Sequence, residues 1–529
     1  MLQGMFTAPD PGRLRLRTSA RAVVGVAPAV AVSALATGSL VAAIAGGLAA
    51  LLALFTVTDA TVGAQARTTV LLPVVGFPVL ALAAVLHDHT LVRDAVFLGI
   101  VFVGVYARRW GPRGHALGVF AFMTFFMAQF LQAVPGQLPG LYAATVLALT
   151  ASSLVRFGLW CIERGAPPPA VPAPPAARGL ARPTTRQAFQ AAFACGLALA
   201  VGQVVSHERW YWAVGAAWWI FVNTASRGET LVRGFRRIVG TVSGIVLGVF
   251  VAVPLDGATA PSAVLIAVCV FGIFYTAPLS YSWMMFFVTV MAALLYGLLG
   301  VLYLGLLGLR LAQTGVGALA AVIAVALVLP VTTHAATDAW IQRALHAVRA
   351  ATAAAARRLA GETADGVADS AGTAPGGSAA APAADPAPHV AELELLLGRV
   401  RLSLAPLLHP LSPLRARKAR ARRVMVLLDD CARQVRGLAE LAADPHPDAS
   451  RDARLTAACR RVEAAIHALV SGLETPGASP AAAAAAPPAE APHPASERAL
   501  AHLHGLETAL AGLAAPLRSN PRAPFVEAA

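Results

Sequence analysis

Lysine is all but missing from this 529-residue chain, with Lys418 as its only example. A nucleotide-binding loop needs Gly-Lys-Ser/Thr to hold phosphates, but Lys418 stands between Arg417 and Ala419, which excludes that kind of ATP site. Charge of either sign is scarce, at 13% of residues, whereas ordinary soluble domains carry about 25%. The five cysteines (Cys161, Cys195, Cys269, Cys431 and Cys459) are odd in number and scattered, with no Cys-x-x-Cys pair. Neither a disulfide framework nor a zinc site is signalled.

Apolar residues take the place of the missing charge: 57% of the chain is hydrophobic and the mean hydropathy is +0.67. The net charge of +14 would suit a nucleic-acid binder until it is located along the chain. Divided after Pro330, the first part holds 20 Arg against 8 acidic residues, and the second 21 basic against 19 acidic. The basic excess therefore sits in the apolar part, where a membrane explanation is required and nucleic acid is not an expected partner.

A helix that crosses a bilayer needs roughly 20 predominantly apolar residues. That ruler predicts spans near 20–37, 40–57, 69–86, 94–107, 115–133 and 141–160, then 187–205, 210–224, 237–254, 262–277, 283–304 and 311–330. Cytoplasmic loops are enriched in Arg and Lys. With the N-terminus inside, 17 of the 20 arginines fall on the inner side and only Arg93, Arg209 and Arg310 outside. This places the N-terminus, the linker and the C-terminal part in the cytoplasm of a cell whose inner membrane the chain crosses. A cleaved signal peptide ending near Ala34-Leu35-Ala36 is the competing reading; it would leave an odd number of spans and spoil the charge asymmetry.

The expected fold is all-α: two parallel six-helix repeats, 1–164 and 187–332, joined by a Pro-rich linker at 165–186 and followed by a helical cytoplasmic domain over 333–529. Duplication is read from Asp59 falling on Asn223 and Gly76 on Gly240 at an offset of 164, and Tyr106 on Tyr275 at 169. Six spans per repeat give both halves the same orientation. The C-terminal part reads as helices over 333–359, 390–402, 413–443, 448–473 and 497–517, with Ala/Pro/Gly-rich linkers near 362–388 and 475–496.

The most informative stretch opens with Tyr211-Trp212, passes Asn223, and continues Arg233-Gly-Phe-Arg236-Arg237-Ile-Val-Gly240-Thr241-Val-Ser-Gly244-Ile-Val-Leu-Gly248. An aromatic pair at one interface opens a span, an arginine cluster closes the opposite loop, and glycines at four-residue spacing offer a face for close helix packing. Each part alone is also generic membrane architecture. Their order resembles the fusaric acid resistance and aromatic acid exporter family, in which a Tyr-Trp opens one span and Arg-x-x-Gly-Thr-x-x-Gly enters the next. One departure is Gln313, before Thr314, where the family pattern implies an acid. The resemblance implies proton-driven export of small organic, often aromatic, acids.

Several residues are candidates for a substrate path. Arg236 and Arg237 stand where they would gather anions, or serve as ordinary positive-inside residues. Asp59 is the candidate protonatable group, or else a helix-end carboxylate in water; Asn223 is its repeat counterpart. Tyr211, Trp212, Arg310 and Gln313, with Gln129, Gln132, Thr289 and Tyr296, would line a cavity or satisfy neighbouring helices; Gly240, Thr241, Gly244 and Gly248 would pack. His87-Asp88-His89 has two ligands at i and i+2 and no third cluster, so it reads as a solvated loop. Ser206-His207-Glu208-Arg209 forms no hydrolase arrangement. No enzyme site, metal or cofactor is expected. The run Arg415-Ala-Arg417-Lys418-Ala-Arg420-Ala-Arg422-Arg423 suits anionic lipid, or a solvated helix face balanced by Asp429 and Asp430. The C-terminal helices are expected to regulate transport or to assemble a homodimer. Two other classes stay open: a passive anion channel, since aluminium-activated malate channels are similar in plan, and a membrane scaffold acting through its cytoplasmic helices.

Overall fold

The computed structural model describes residues 13–163, 179, 182–221, 227–329, 333–359, 385–408, 415–443, 453–474 and 494–518. The described residues contain no β-strand. The chain folds as two units, Met1–Val331 and Thr332–Ala529.

Twelve α-helices build the described part of the first unit. The first six are α1 (Leu14–Thr37), α2 (Leu40–Thr56), α3 (Val62–Val85), α4 (Thr90–Tyr106), α5 (Gly111–Leu131) and α6 (Leu138–Glu163). The next six are α7 (Pro183–Val205), α8 (Tyr211–Phe221), α9 (Arg227–Leu255), α10 (Thr259–Thr276), α11 (Tyr281–Leu298) and α12 (Leu304–Leu327). Local chemistry sets several ends. Gly38 takes a left-handed φ of 62°, which stops α1 after its last turn, and the Ser39 hydroxyl accepts the Ala42 N–H at 3.3 Å to start α2. Thr61 starts α3 in the same way, accepting from Ala64 at 3.2 Å.

Nine segments among the described residues are long and apolar enough to cross a membrane. One of them, Thr90–Leu131, contains both α4 and α5. Helix α2, at 17 residues, spans about 26 Å, a little short of a hydrocarbon core of about 30 Å. Helix α8 is described over 11 residues, and residues 222–226 after it, including Asn223, lie outside the described part.

Helices pair by one scheme in both sets. Within the first six, α1 packs on α2 and α6, α2 on α6, α3 on α5 and α6, and α4 on α5; the same pairs recur with each index raised by six. The sets meet through α4 on α7 and α1 on α10. At their junction Phe122 of α5 stacks on Trp218 of α8 at 4.3 Å, with Phe97 of α4 4.6 Å from Phe125 behind it. Such aromatic pairs contribute about 0.5–1.5 kcal/mol each beyond the area they bury.

The small-residue face of α9 lies on α11. A methyl group at Gly240 would come within 2.3 Å of the Ser282 carbonyl, and one at Gly244 within 2.7 Å of Thr289 Cβ. At Gly248 the nearest atom, Ala293 Cβ, is 3.1 Å away. Thr241, beside Gly240, is buried. Much of the outer surface of this unit is apolar: Leu35, Val70, Leu91, Leu154, Val204, Phe250 and Leu327 are among many large hydrophobics left exposed. Helices whose apolar surface has no protein partner are in contact with lipid.

The second unit holds α13 (Thr333–Leu359), α14 (Ala387–Leu408), α15 (Arg415–Ala443), α16 (Ala453–Glu474) and α17 (Pro494–Arg518). Its core includes Leu345, Val348, Leu396, Leu428, Val435, Val462 and Leu506. Burial pushes the Cys431 thiol up to about 12, so this cysteine is a core residue and a poor nucleophile. Ion pairs knit the exterior: Arg401 to Asp429 and Arg436 to Glu394, both at 2.6 Å, and Arg461 to Glu507 at 2.9 Å. Asp430 pairs with Arg433. The two aspartates thus pair outside the Arg415–Arg423 run. Among the described residues only Leu395 and Val426 in this unit are large exposed hydrophobics.

Two expectations follow. Gly244→Leu should prevent α9 from reaching α11, costing at least the 1–3 kcal/mol typical of overpacking, while Gly248→Ala, whose methyl would stand 3.1 Å from Ala293 Cβ, should change the detergent melting midpoint by less. Asp429→Ala should destabilise the full protein by no more than about 1 kcal/mol, since its partner Arg401 is exposed. Thermal denaturation followed by circular dichroism reads both.

Candidate functional site

A cavity of about 170 Å³ opens inside the first unit between helices of both sets. From the first set, α2 contributes Leu48, Leu51, Leu52 and Phe55, and α5 contributes Met123, Phe126, Met127 and Phe130. From the second, α8 gives Trp212, Gly215 and Trp219, and α11 gives Met284, Met285, Val288, Met291, Ala292, Leu295 and Tyr296. Ile273 of α10 completes the apolar wall. Five of the chain's eight methionines are here. Their flexible, polarisable side chains fit varied apolar ligands.

Arg237 from α9 and Arg310 and Thr314 from α12 interrupt this wall, and no lining residue is a carboxylate. The close approach at Gly240 brings Arg237, one helical turn earlier, against α11. There its Nη1 donates to the Tyr281 hydroxyl at 3.1 Å and touches Met285 Sδ at the same distance. Tyr281 in turn donates to the Trp219 carbonyl at 3.3 Å, and the Arg233 guanidinium lies 4.1 Å over its ring. Arg310 Nη1 donates to the Tyr296 hydroxyl at 3.2 Å, with its guanidinium 5.6 Å over Trp212. Nearby, Arg209 donates to the Tyr211 hydroxyl at 3.0 Å. The Nε atoms of both cavity arginines are buried and make no hydrogen bond. A guanidinium in apolar surroundings is costly unless an acceptor or anion meets it.

Other candidates fall elsewhere. Gln313 is fully buried, but its Nε2 donates to the Gly202 carbonyl at 2.9 Å, tying α12 to α7 rather than facing the cavity. Arg236 is not a lining residue, and neither is Tyr211, which is buried and packs on Phe126 at 5.5 Å. Asp59 is buried beyond the end of α2, away from the lining. Its carbonyl accepts from Gln65 at 2.8 Å, while its Oδ2 is buried without a partner. Gln129 and Thr289 are buried outside the lining; Gln132 bonds back to the Gln129 carbonyl at 2.9 Å. His87 and its neighbours support Arg93, whose Nη1 donates to the His87 carbonyl at 3.4 Å. Among the described residues no group of three or more His, Cys, Asp or Glu is placed to hold a metal.

Sequence reasoning missed Tyr281, Trp219 and the methionine wall. A usable signal was there: methionine is rare in this chain, yet Met123, Met127, Met284, Met285 and Met291 fall in two short stretches.

Apolar helices of spanning length and an outward apolar surface, built around a cationic cavity, define a multi-pass α-helical membrane protein. Within it, residues 197–324, from α7 into α12, match the family described as fusaric acid resistance protein-like. That stretch contains Tyr211, Trp212, Arg237 and Gly240, the residues whose order pointed to the same family, and all the cavity residues of the second set. No curated protein and no solved structure matches the chain.

An apolar cavity of roughly 150 Å³ takes up benzene, so this one has room for a single ring, with an anionic substituent on an arginine. Charge-assisted hydrogen bonds contribute about 1.5–3 kcal/mol. Replacing both, Arg237→Gln together with Arg310→Gln, should therefore weaken benzoate binding roughly 10- to 150-fold, whereas Gln313→Ala should lower stability and leave affinity within about twofold. Quenching of Trp212 and Trp219, both in the wall, reports binding in detergent.

Proposed function

We propose that this protein exports small organic acids, single-ring carboxylates foremost, across the cytoplasmic membrane at the expense of the proton gradient. The observation that carries the proposal is the pair of arginines in an otherwise apolar cavity among membrane helices. A carboxylate entering hydrocarbon needs compensating charge and its ring needs apolar walls; Arg237 and Arg310 supply the first, and the methionine and aromatic side chains the second. The family-model match and the spanning helices support a membrane transporter at the coarser level.

In this reading all twelve helices of the first unit cross the bilayer as two parallel six-helix repeats, which the recurring helix pairs support. Both termini lie in the cytoplasm, as the distribution of arginines suggests. The second unit, whose exterior is charged, is the cytoplasmic domain that regulates transport or pairs two copies, with Arg415–Arg423 beside anionic lipid. Asp59 is assigned the proton site, as a buried carboxylate at the end of a membrane helix with the Arg156 charge in reach. No chemical conversion of the substrate is part of this scheme.

Counterflow of radiolabelled benzoate in proteoliposomes tests the proposal. Uptake should rise severalfold when a pH gradient is imposed, and Asp59→Asn should abolish that rise while preserving benzoate exchange. Benzoate current without any response to the pH gradient would make the protein a channel, and no benzoate movement of either kind would overturn transport altogether.

A further inference from the structure

One helix, α11, supplies a tyrosine at each of its ends. Tyr281 is its first residue and Tyr296 stands fifteen residues further on, about 22 Å along an α-helix. Both are buried. Each hydroxyl accepts a hydrogen bond from an arginine of the cavity wall, Tyr281 from Arg237 at 3.1 Å and Tyr296 from Arg310 at 3.2 Å. Each arrangement also has a tryptophan beside it: Trp219, whose carbonyl accepts from Tyr281, and Trp212, which lies under Arg310. Two tyrosine hydroxyls of the shared α11 thus hold two arginines, from α9 and from α12, whose charges are near enough to interact.

A phenol oxygen is a neutral acceptor offering one bond to a guanidinium. A carboxylate is charged, binds a guanidinium through two parallel bonds, and forms hydrogen bonds about twice as strong. It therefore displaces a phenol from an arginine, and a neutral ring of the same shape does not.

We propose that Arg237 and Arg310 are two anion subsites of one cavity, each latched by a tyrosine of α11 that the substrate carboxylate displaces. The inference rests on the reading of this cavity as an anion path and adds its specificity. One carboxylate engages one guanidinium bidentately and leaves the other on its tyrosine. Tyr281 and Tyr296 are positioning residues, and they make the anionic group, rather than the ring, the feature that admits a substrate.

The test compares the binding of benzoate with that of a neutral ring. Tyr281→Phe and Tyr296→Phe free an arginine from its latch, so each should bind benzoate about 2- to 13-fold more tightly, the equivalent of one hydrogen bond. If the tyrosines merely help hold the ligand, both variants should bind more weakly. In the unsubstituted protein, benzoate but not toluene should alter the tyrosine near-ultraviolet circular dichroism, which needs no variant to fold. Weaker binding in either variant, or an equal response to toluene, would overturn the proposal. If counterflow fails while these results hold, the transport reading falls and the latched anion subsites stand.

Discussion

A guanidinium placed among hydrocarbon side chains must be given an acceptor, and much of the first unit is arranged around that requirement. Arg237 and Arg310 have no carboxylate in the cavity wall to neutralise them. The hydroxyls of Tyr281 and Tyr296, and for Arg310 the faces of Trp212 and Tyr296, take up part of their hydrogen-bonding and electrostatic demand, leaving each Nε unmet. Neutral partners of this kind satisfy a cation incompletely, which keeps its affinity for an anion. A carboxylate in their place would have formed an internal ion pair and removed the site. The scarcity of acidic residues throughout the apolar part, eight before Pro330, is consistent with the same constraint.

Backbone packing decides where those arginines stand. Without side chains at Gly240 and Gly244, α9 settles directly on the backbone of α11, so Arg237 meets Tyr281 and Met285 instead of pointing into lipid. Close helix approach through small residues is the ordinary way membrane helices associate; here the same contact positions a charge. On the other side the stacked Phe97, Phe122, Phe125 and Trp218 join the two helix sets while α2 and α5 stand back from α11. The cavity is the space left between a tight contact, α9 on α11, and an aromatic one.

The two units solve opposite solvent problems with the same secondary structure. In the first, apolar side chains face outward and polar ones are tied back to the helices, as when Thr56, Thr145 and Thr276 bond the carbonyl four residues earlier. In the second, leucine, valine and alanine face inward and arginine–carboxylate pairs cover the outside. Exposed pairs of this kind contribute about 0–1 kcal/mol each, so the apolar core holds that bundle together.

Membrane class, helix positions and the packing face could be read from the chain because each depends on properties that are local or periodic. Run length decides whether a helix suits a bilayer, and glycine at four-residue spacing marks a face wherever it packs. Tyr211-Trp212 and Arg237 through Gly244 pointed to the family for the same reason: that pattern is contiguous. Which polar residues share a cavity is a different kind of fact. Gln313 and Arg310 lie three positions apart on α12, yet one ties α12 to α7 and the other faces the cavity. Arg236 and Arg237 are adjacent, and only the second lines it. A 100° step between neighbouring residues of a helix separates wall from packing surface, and the neighbours that meet each side are set by helices far away in sequence. Run length and local pattern were enough for a membrane-embedded helical protein with cations of unassigned role; packing between distant helices set which two of those cations share an apolar cavity, and that tyrosines hold them there.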